Sequence, residues 1–94
     1  MATITNIATL IARSPGICGN RPYINGTRVS VQQIAVLHQE GLRPIDILNE
    51  YEFLNLAQIY SALAYYYANQ SEIEAYLKED AATYDRLIAE QATE

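Results

Sequence analysis

Few residues in this chain have the types and spacing that catalysis requires. His38 is the single histidine, and it falls inside a helical pattern with no thiol or carboxylate placed to pair with it. Cys18 is the single cysteine, in a Gly-rich loop with no second cysteine for a disulfide or a zinc site and no evident base to make it a nucleophile. Glu79 and Asp80 are adjacent, so on a helix they point apart. Glu90 and Glu94 have the i,i+4 spacing of a helical metal pair, but at a chain end where helices fray. Gly16 and Gly19 fit neither the phosphate-loop nor the dinucleotide spacing. The expectation is a chain that is not an enzyme and uses no metal or cofactor.

The residues suited to contacting another macromolecule are more numerous. Arg13, Arg21, Arg28 and Arg43 lie in the first half, where guanidinium groups could hold phosphates and position a protein on DNA. Asn55, Gln58, Tyr60 and Ser61 open a later helix, and Gln and Ser can read base edges. Asn55 and Gln58 also have the spacing of a helix cap, which explains them without DNA. That helix carries no Lys or Arg.

These residues need elements to position them. Thr and Ile enrichment predicts a strand over Ala8 to Arg13, and such a strand at a chain end needs a pairing partner, for which a second copy of the chain is one source. Asn25-Gly26 between Tyr23-Ile24 and Thr27-Arg28-Val29 predicts a hairpin. Four helices follow. The first has a Ser30/Gln33 capping box and ends at Gly41. The second is short, with Pro44 at its first position and Asp46 near the positive end of its dipole. The third opens at Asn55 with Gln58. The fourth is predicted to open at Ser71 with Glu74, after a break at Asn69-Gln70, and carries Ile73, Leu77, Ala81, Tyr84 and Ile88 as an apolar stripe. Tyr65, Tyr66 and Tyr67 cannot share one face, and Tyr66 is the expected core member.

Ninety-four residues make a single domain, with an arm over residues 1–29, three helices over 30–69 and a last helix over 71–92. Half the residues are apolar, which places the chain among globular proteins. The formal charge of −5 argues against a surface that binds nucleic acid throughout. The charge is also uneven. Residues 1–45 hold four bases against one acid, a balance of +3; residues 46–94 hold two against ten, a balance of −8. Opposite signs at the two ends suggest two partner surfaces, or a fold that simply puts Glu on helices and Arg on loops. No apolar stretch approaches the roughly 20 residues of a membrane span. Met1 to Ala12 makes a poor signal peptide, so a cytoplasmic location is expected.

The run Arg21-Pro22-Tyr23-Ile24-Asn25-Gly26-Thr27-Arg28-Val29-Ser30-Val31 resembles a "P-x-I-x-G-T-R-I-x-V" signature. After it come a helix, Gly41, a short helix, Glu50-Tyr51-Glu52-Phe53-Leu54, and a helix with "I-x-x-A-L-x-Y" at Ile59 to Tyr65. That order is similar to the bacterial and archaeal domain of unknown function 433, from about Ser14 to Tyr67. The resemblance implies a mainly α, homeodomain-like helix-turn-helix with a short N-terminal strand and hairpin and a long C-terminal helix. It implies an antitoxin of a type II toxin–antitoxin pair, which forms a homodimer, binds and autoregulates its operator DNA, and caps a PIN-like ribonuclease toxin with a C-terminal segment. Under that reading DNA is held by Arg21, Arg28, Arg43, Asn55, Gln58 and Ser61. The chain departs from the family pattern at Arg43, where Ser or Thr is usual, at Glu52, where Pro is usual, and at Asn55, where Thr is usual. Glu52 brings negative charge close to the groove helix, and Arg43 works the other way.

The last helix is amphipathic and acidic, the form of a helix that lays its apolar face into a partner's groove. Its anchors are Ile73, Tyr76, Leu77, Tyr84, Leu87 and Ile88, the early ones packing on the chain's own core and the later ones left for a partner. Partner contacts are therefore expected at Tyr76, Tyr84, Arg86, Leu87 and Ile88. Arg86 is the base that the antitoxin reading would place in a toxin's carboxylate cluster; its alternative is an i,i+4 pair with Glu90. A protein-interaction module of the same fold that does not bind DNA is the competing function.

Overall fold

A computed structural model of the chain describes residues 6–92. The start of the arm at Met1 to Thr5 and Glu94 of the Glu90/Glu94 spacing lie outside these residues. The architecture is mainly helical. Two short strands, β1 (Ile11–Ala12) and β2 (Tyr23–Ile24), precede α1 (Val31–Gln39), α2 (Pro44–Glu50), α3 (Leu56–Ala68) and α4 (Gln70–Ala92). Single 3₁₀ turns lie at Ile7–Thr9 and Cys18–Asn20.

The arm differs from the sequence expectation in extent and in pairing. The predicted strand from Ala8 to Arg13 shrinks to Ile11–Ala12, because Asn6 caps a 3₁₀ turn by accepting a hydrogen bond from the Ala8 N–H. Within this chain its partner is β2, antiparallel, with Ile11 opposite Ile24 and Ala12 opposite Tyr23. The second copy invoked to pair this strand is therefore not needed for it. The Asn25-Gly26 reversal forms as expected. The Ile24 N–H donates to the Val29 carbonyl (2.8 Å), the Thr27 N–H donates to the Ile24 carbonyl (3.0 Å), and Gly26 adopts φ +82°. The Thr27 hydroxyl closes the turn by donating to the Ile24 carbonyl and accepting from the Val29 N–H. The Gly-Thr pair of the signature is thus explained by the turn itself. The returning limb makes only a Tyr23–Ser30 bridge before α1 begins, so the ladder that counts is β1–β2.

The helix starts follow their caps. The Ser30 N–H donates to Gln33 Oε1 (2.7 Å) and the Gln33 N–H donates to Ser30 Oγ (3.3 Å). Asn55 and Gln58 repeat this reciprocal pair at 2.8 and 2.9 Å. At the end of α1 the Leu42 N–H reaches the Leu37 carbonyl and the Gly41 N–H the His38 carbonyl, with Gly41 at φ +95°. The fourth helix departs from expectation. It begins at Gln70, one residue early, and Ser71 lies inside its first turn. Asn69 serves both helices: its N–H donates back to Tyr65 and Tyr66, and its carbonyl accepts from Ile73. Glu74 is not free to complete a cap with Ser71, because its carboxylate accepts from the Tyr66 hydroxyl (3.0 Å).

α1, α2 and α3 pack around Ile34, Ile47, Ile59 and Ala62, each fully buried. β2 closes one side through Ile24, and α4 enters the core only with Ile73. Tyr66 is buried as expected; Tyr65 is half-buried and Tyr67 exposed. At 23 residues α4 is about 34 Å long, so it outruns the core and stretches the molecule to 62 Å.

Candidate interaction surface

The first turns of α4 are clasped to the arm by charge. Arg13, just after β1, pairs with Glu72 and donates to the Tyr65 hydroxyl (3.1 Å). Tyr76 and Tyr65 also donate to Glu72, at 2.7 and 3.2 Å. Burial pushes the Glu72 carboxyl up, but the hydrogen bonds from Arg13, Tyr76 and Tyr65 outweigh it and hold the group below the usual carboxylate range. About two helical turns further on, Arg21 reaches Asp80 at 2.8 and 3.0 Å and Glu79 at 3.3 Å. Its guanidinium also lies 4.6 Å from the centre of the Tyr76 ring. Gln32 of α1 completes the contact, donating to Asp80 at 3.4 Å, while its own Oε1 is buried without a hydrogen-bond partner.

Beyond Asp80 the helix leaves the body. Tyr84, Leu87 and Ile88 are 65%, 50% and 48% exposed on one side of it. Where α4 departs, an open groove of about 710 Å³ runs between it, α1 and the loop before β2. Val36, Leu77, Ala81 and Tyr84 give the groove an apolar side, and Arg28 gives it a cation. Arg86 lies 3.9 Å from Glu90, the i,i+4 neighbour named as its alternative partner. Tyr76 is half-buried against Arg21 and Glu72 and so belongs to the clasp, while Tyr84, Leu87 and Ile88 are open.

The six residues proposed for DNA do not form one surface of free groups. Arg21 is engaged by α4. Arg43 is exposed but chelates Asp46 through Nε (3.0 Å) and a terminal nitrogen (3.2 Å). That side-chain contact and the Arg43 N–H hold Asp46 below its ordinary value. Asn55 and Gln58 are taken up with each other in the cap. Ser61 is 8% exposed, too buried to reach a base edge. Arg28 alone of the six is exposed with its side chain making no ion pair or hydrogen bond among the described residues. The outer side of α3 instead shows Ala57, Tyr60, Ala64 and Tyr67. Sequence reasoning missed the clasp, for which the +3/−8 asymmetry was the available signal.

A model of the protein of unknown function DUF433 matches residues 11–66 of this chain. The chain belongs to the DUF433 family. A crystal structure of a DUF433 member protein from Anabaena variabilis is similar to it, with a TM-score of 0.70 at 27% identity over 74% of this chain and 69% of that one. None of the curated proteins matches the chain. The DUF433 match runs from β1 to Tyr66, so it takes in the Gly26-Thr27 turn and both capping boxes. The clasp acids and the open end of α4 lie after it. Among the described residues of this DUF433 chain, no helix is long and apolar enough to cross a membrane.

Proposed function

We propose that this chain is a protein-interaction module, antitoxin-like in design, that grips its partner with the distal half of α4. The observation that carries this is the open stripe Tyr84, Leu87 and Ile88 on a helix already fixed at its base by Arg13–Glu72 and Arg21–Asp80. Anchors at i, i+3 and i+4 are what a helix-in-groove contact uses. A helix end without packing is marginal in water, so a partner that covers it gains apolar burial and helix order together. On the toxin–antitoxin reading that the family resemblance implies, the partner is a PIN-like ribonuclease and Arg86 would enter its carboxylate site, exchanging the long Glu90 contact for a stronger one. Co-expression with the protein encoded beside its gene tests this. The wild type should retain that protein through purification, and the Leu87→Asp/Ile88→Asp variant should lose it. Retention by the variant would remove α4 from the contact.

The operator-binding regulator is the second reading. Arg28 favours it, as an exposed guanidinium beside the groove. Weighing against it are the engagement of Arg21 by α4 and the absence of any base on α3.

A further inference from the structure

The clasp is a series with an open end. Arg13 pairs with Glu72, and Arg21 pairs with Asp80. The next arginine is Arg28, and the next acid on α4 is Asp85. Both are exposed, and neither side chain makes an ion pair or hydrogen bond among the described residues. Instead both border the groove of about 710 Å³ where α4 leaves α1. The groove thus keeps an unpaired cation on its arm side and an unpaired anion on its α4 side.

A third polar group there is left short of partners. Gln32, also in the groove lining, is 9% exposed. Its Nε2 makes a long bond of 3.4 Å to Asp80, and its Oε1 is buried without a partner. Exchanging the two atoms would set Oε1 against the Asp80 carboxylate, so an amide flip does not relieve the shortfall. A buried acceptor that lacks a donor is costly. Between these polar groups the lining is apolar. Val36 lies on α1, and Leu77, Ala81 and Tyr84 follow one another along α4. Ala81 leaves a notch between its two larger neighbours.

We infer that this groove binds a small zwitterion with an apolar side chain, of the amino acid or short peptide class. The ligand carboxylate pairs with Arg28, whose planar fork matches it. The ammonium pairs with Asp85. It has further N–H groups to offer the Gln32 oxygen, whose amide the long Asp80 bond holds only weakly. The apolar side chain lies in the notch at Ala81. Charge selects this class. Arg21, Arg28, Asp80 and Asp85 sum to zero around the groove. A plain anion gains Arg28 but meets Asp85, and a plain cation meets the reverse; a dipolar ligand satisfies both. The volume lies within the roughly 300–1,000 Å³ of small-ligand sites. The charged contacts are solvent-exposed, so the binding is weak. Leu87 and Ile88 are not in the lining, so the site does not rest on the partner reading of α4.

Chemical-shift titration of the full isotope-labelled chain tests this, with each probe taken to about 10 mM to capture millimolar affinity. The probes are leucine, leucyl-leucine, N-acetyl-leucyl-leucine, which lacks the ammonium, and leucyl-leucinamide, which lacks the carboxylate. A zwitterion should shift the Val36 and Ala81 amides and saturate. Each capped dipeptide should bind about five- to tenfold more weakly than leucyl-leucine. Arg28→Gln should bind leucyl-leucine and leucyl-leucinamide alike, and Asp85→Asn should bind leucyl-leucine and its N-acetyl form alike. Both positions are exposed, so the variants should keep the wild-type spectrum elsewhere. Leu87→Asp/Ile88→Asp should bind like the wild type. Saturation by leucine as well as by leucyl-leucine would assign an amino acid, and by leucyl-leucine alone a peptide. The proposal is overturned if neither zwitterion shifts those amides at the highest concentration. It is overturned equally if the capped forms bind as tightly, or if the two variants still discriminate against them.

Discussion

Arg21 and Asp80 lie 59 positions apart in the chain, and their side chains meet at 2.8 Å. With Arg13 and Glu72 they turn the chain's charge asymmetry inward. The basic arm and the acidic helix meet within one molecule, so the two ends need not be reserved for two partners of opposite sign. The arm holds α4 in one direction, and the distal half projects from that fixed base.

Arg21→Ala should therefore loosen α4. It removes two acidic contacts and a ring contact, together roughly 1–2 kcal/mol after allowance for the exposure of Glu79 and Asp80. At about 4–8 °C per kcal/mol for a domain of this size, the melting temperature should fall measurably. Arg28→Ala should leave it unchanged, because the Arg28 side chain stabilises nothing in the fold. Thermal melts of the two variants side by side check both statements.

Acid should act at Glu72. Its pKa in the folded chain lies below the ordinary value, so it stabilises the fold above the carboxylate range. That contribution is lost as the pH falls through the depressed folded value. Glu72→Gln never has it. The melting temperature of the wild type should thus fall more steeply than that of Glu72→Gln on acidification from about pH 5 downward. Parallel pH–melting curves would remove Glu72 as the source.

The two halves of α4 should respond differently to truncation. Ile73 is fully buried, and Ile73→Ala should cost about 2–5 kcal/mol. Leu87→Ala, at a half-open position, should stay within about 0.5 kcal/mol of wild type in the isolated protein. Denaturant titration separates them, and a large loss at Leu87 would mean that the distal helix packs on its own chain.

Much of this fold was legible locally. Ser30/Gln33, Pro44 with Asp46, Asn55/Gln58 and Asn25-Gly26 each carry their reason within four residues, and each forms the structure its chemistry requires. The miss at Ser71 has a long-range cause. Glu74 has the cap spacing, but Tyr66 claims its carboxylate, and no local pattern shows that competition. The strand over Ala8 to Arg13 failed similarly, because Asn6 bends its first half into a turn. The site was less legible. An arginine reads alike in sequence whether it faces phosphate or its own chain's acid. Only the packing of α4 against the arm separates Arg21 from Arg28.

The most direct measurement is an electrophoretic shift of the purified chain on its own promoter fragment, with unrelated competitor DNA, at about 50 mM and about 200 mM salt. With Arg21 held by α4 and α3 uncharged, the expected result is no specific shift at either concentration. A specific, salt-weakened shift that Arg28→Ala flattens would contradict the account and make operator binding the chain's function.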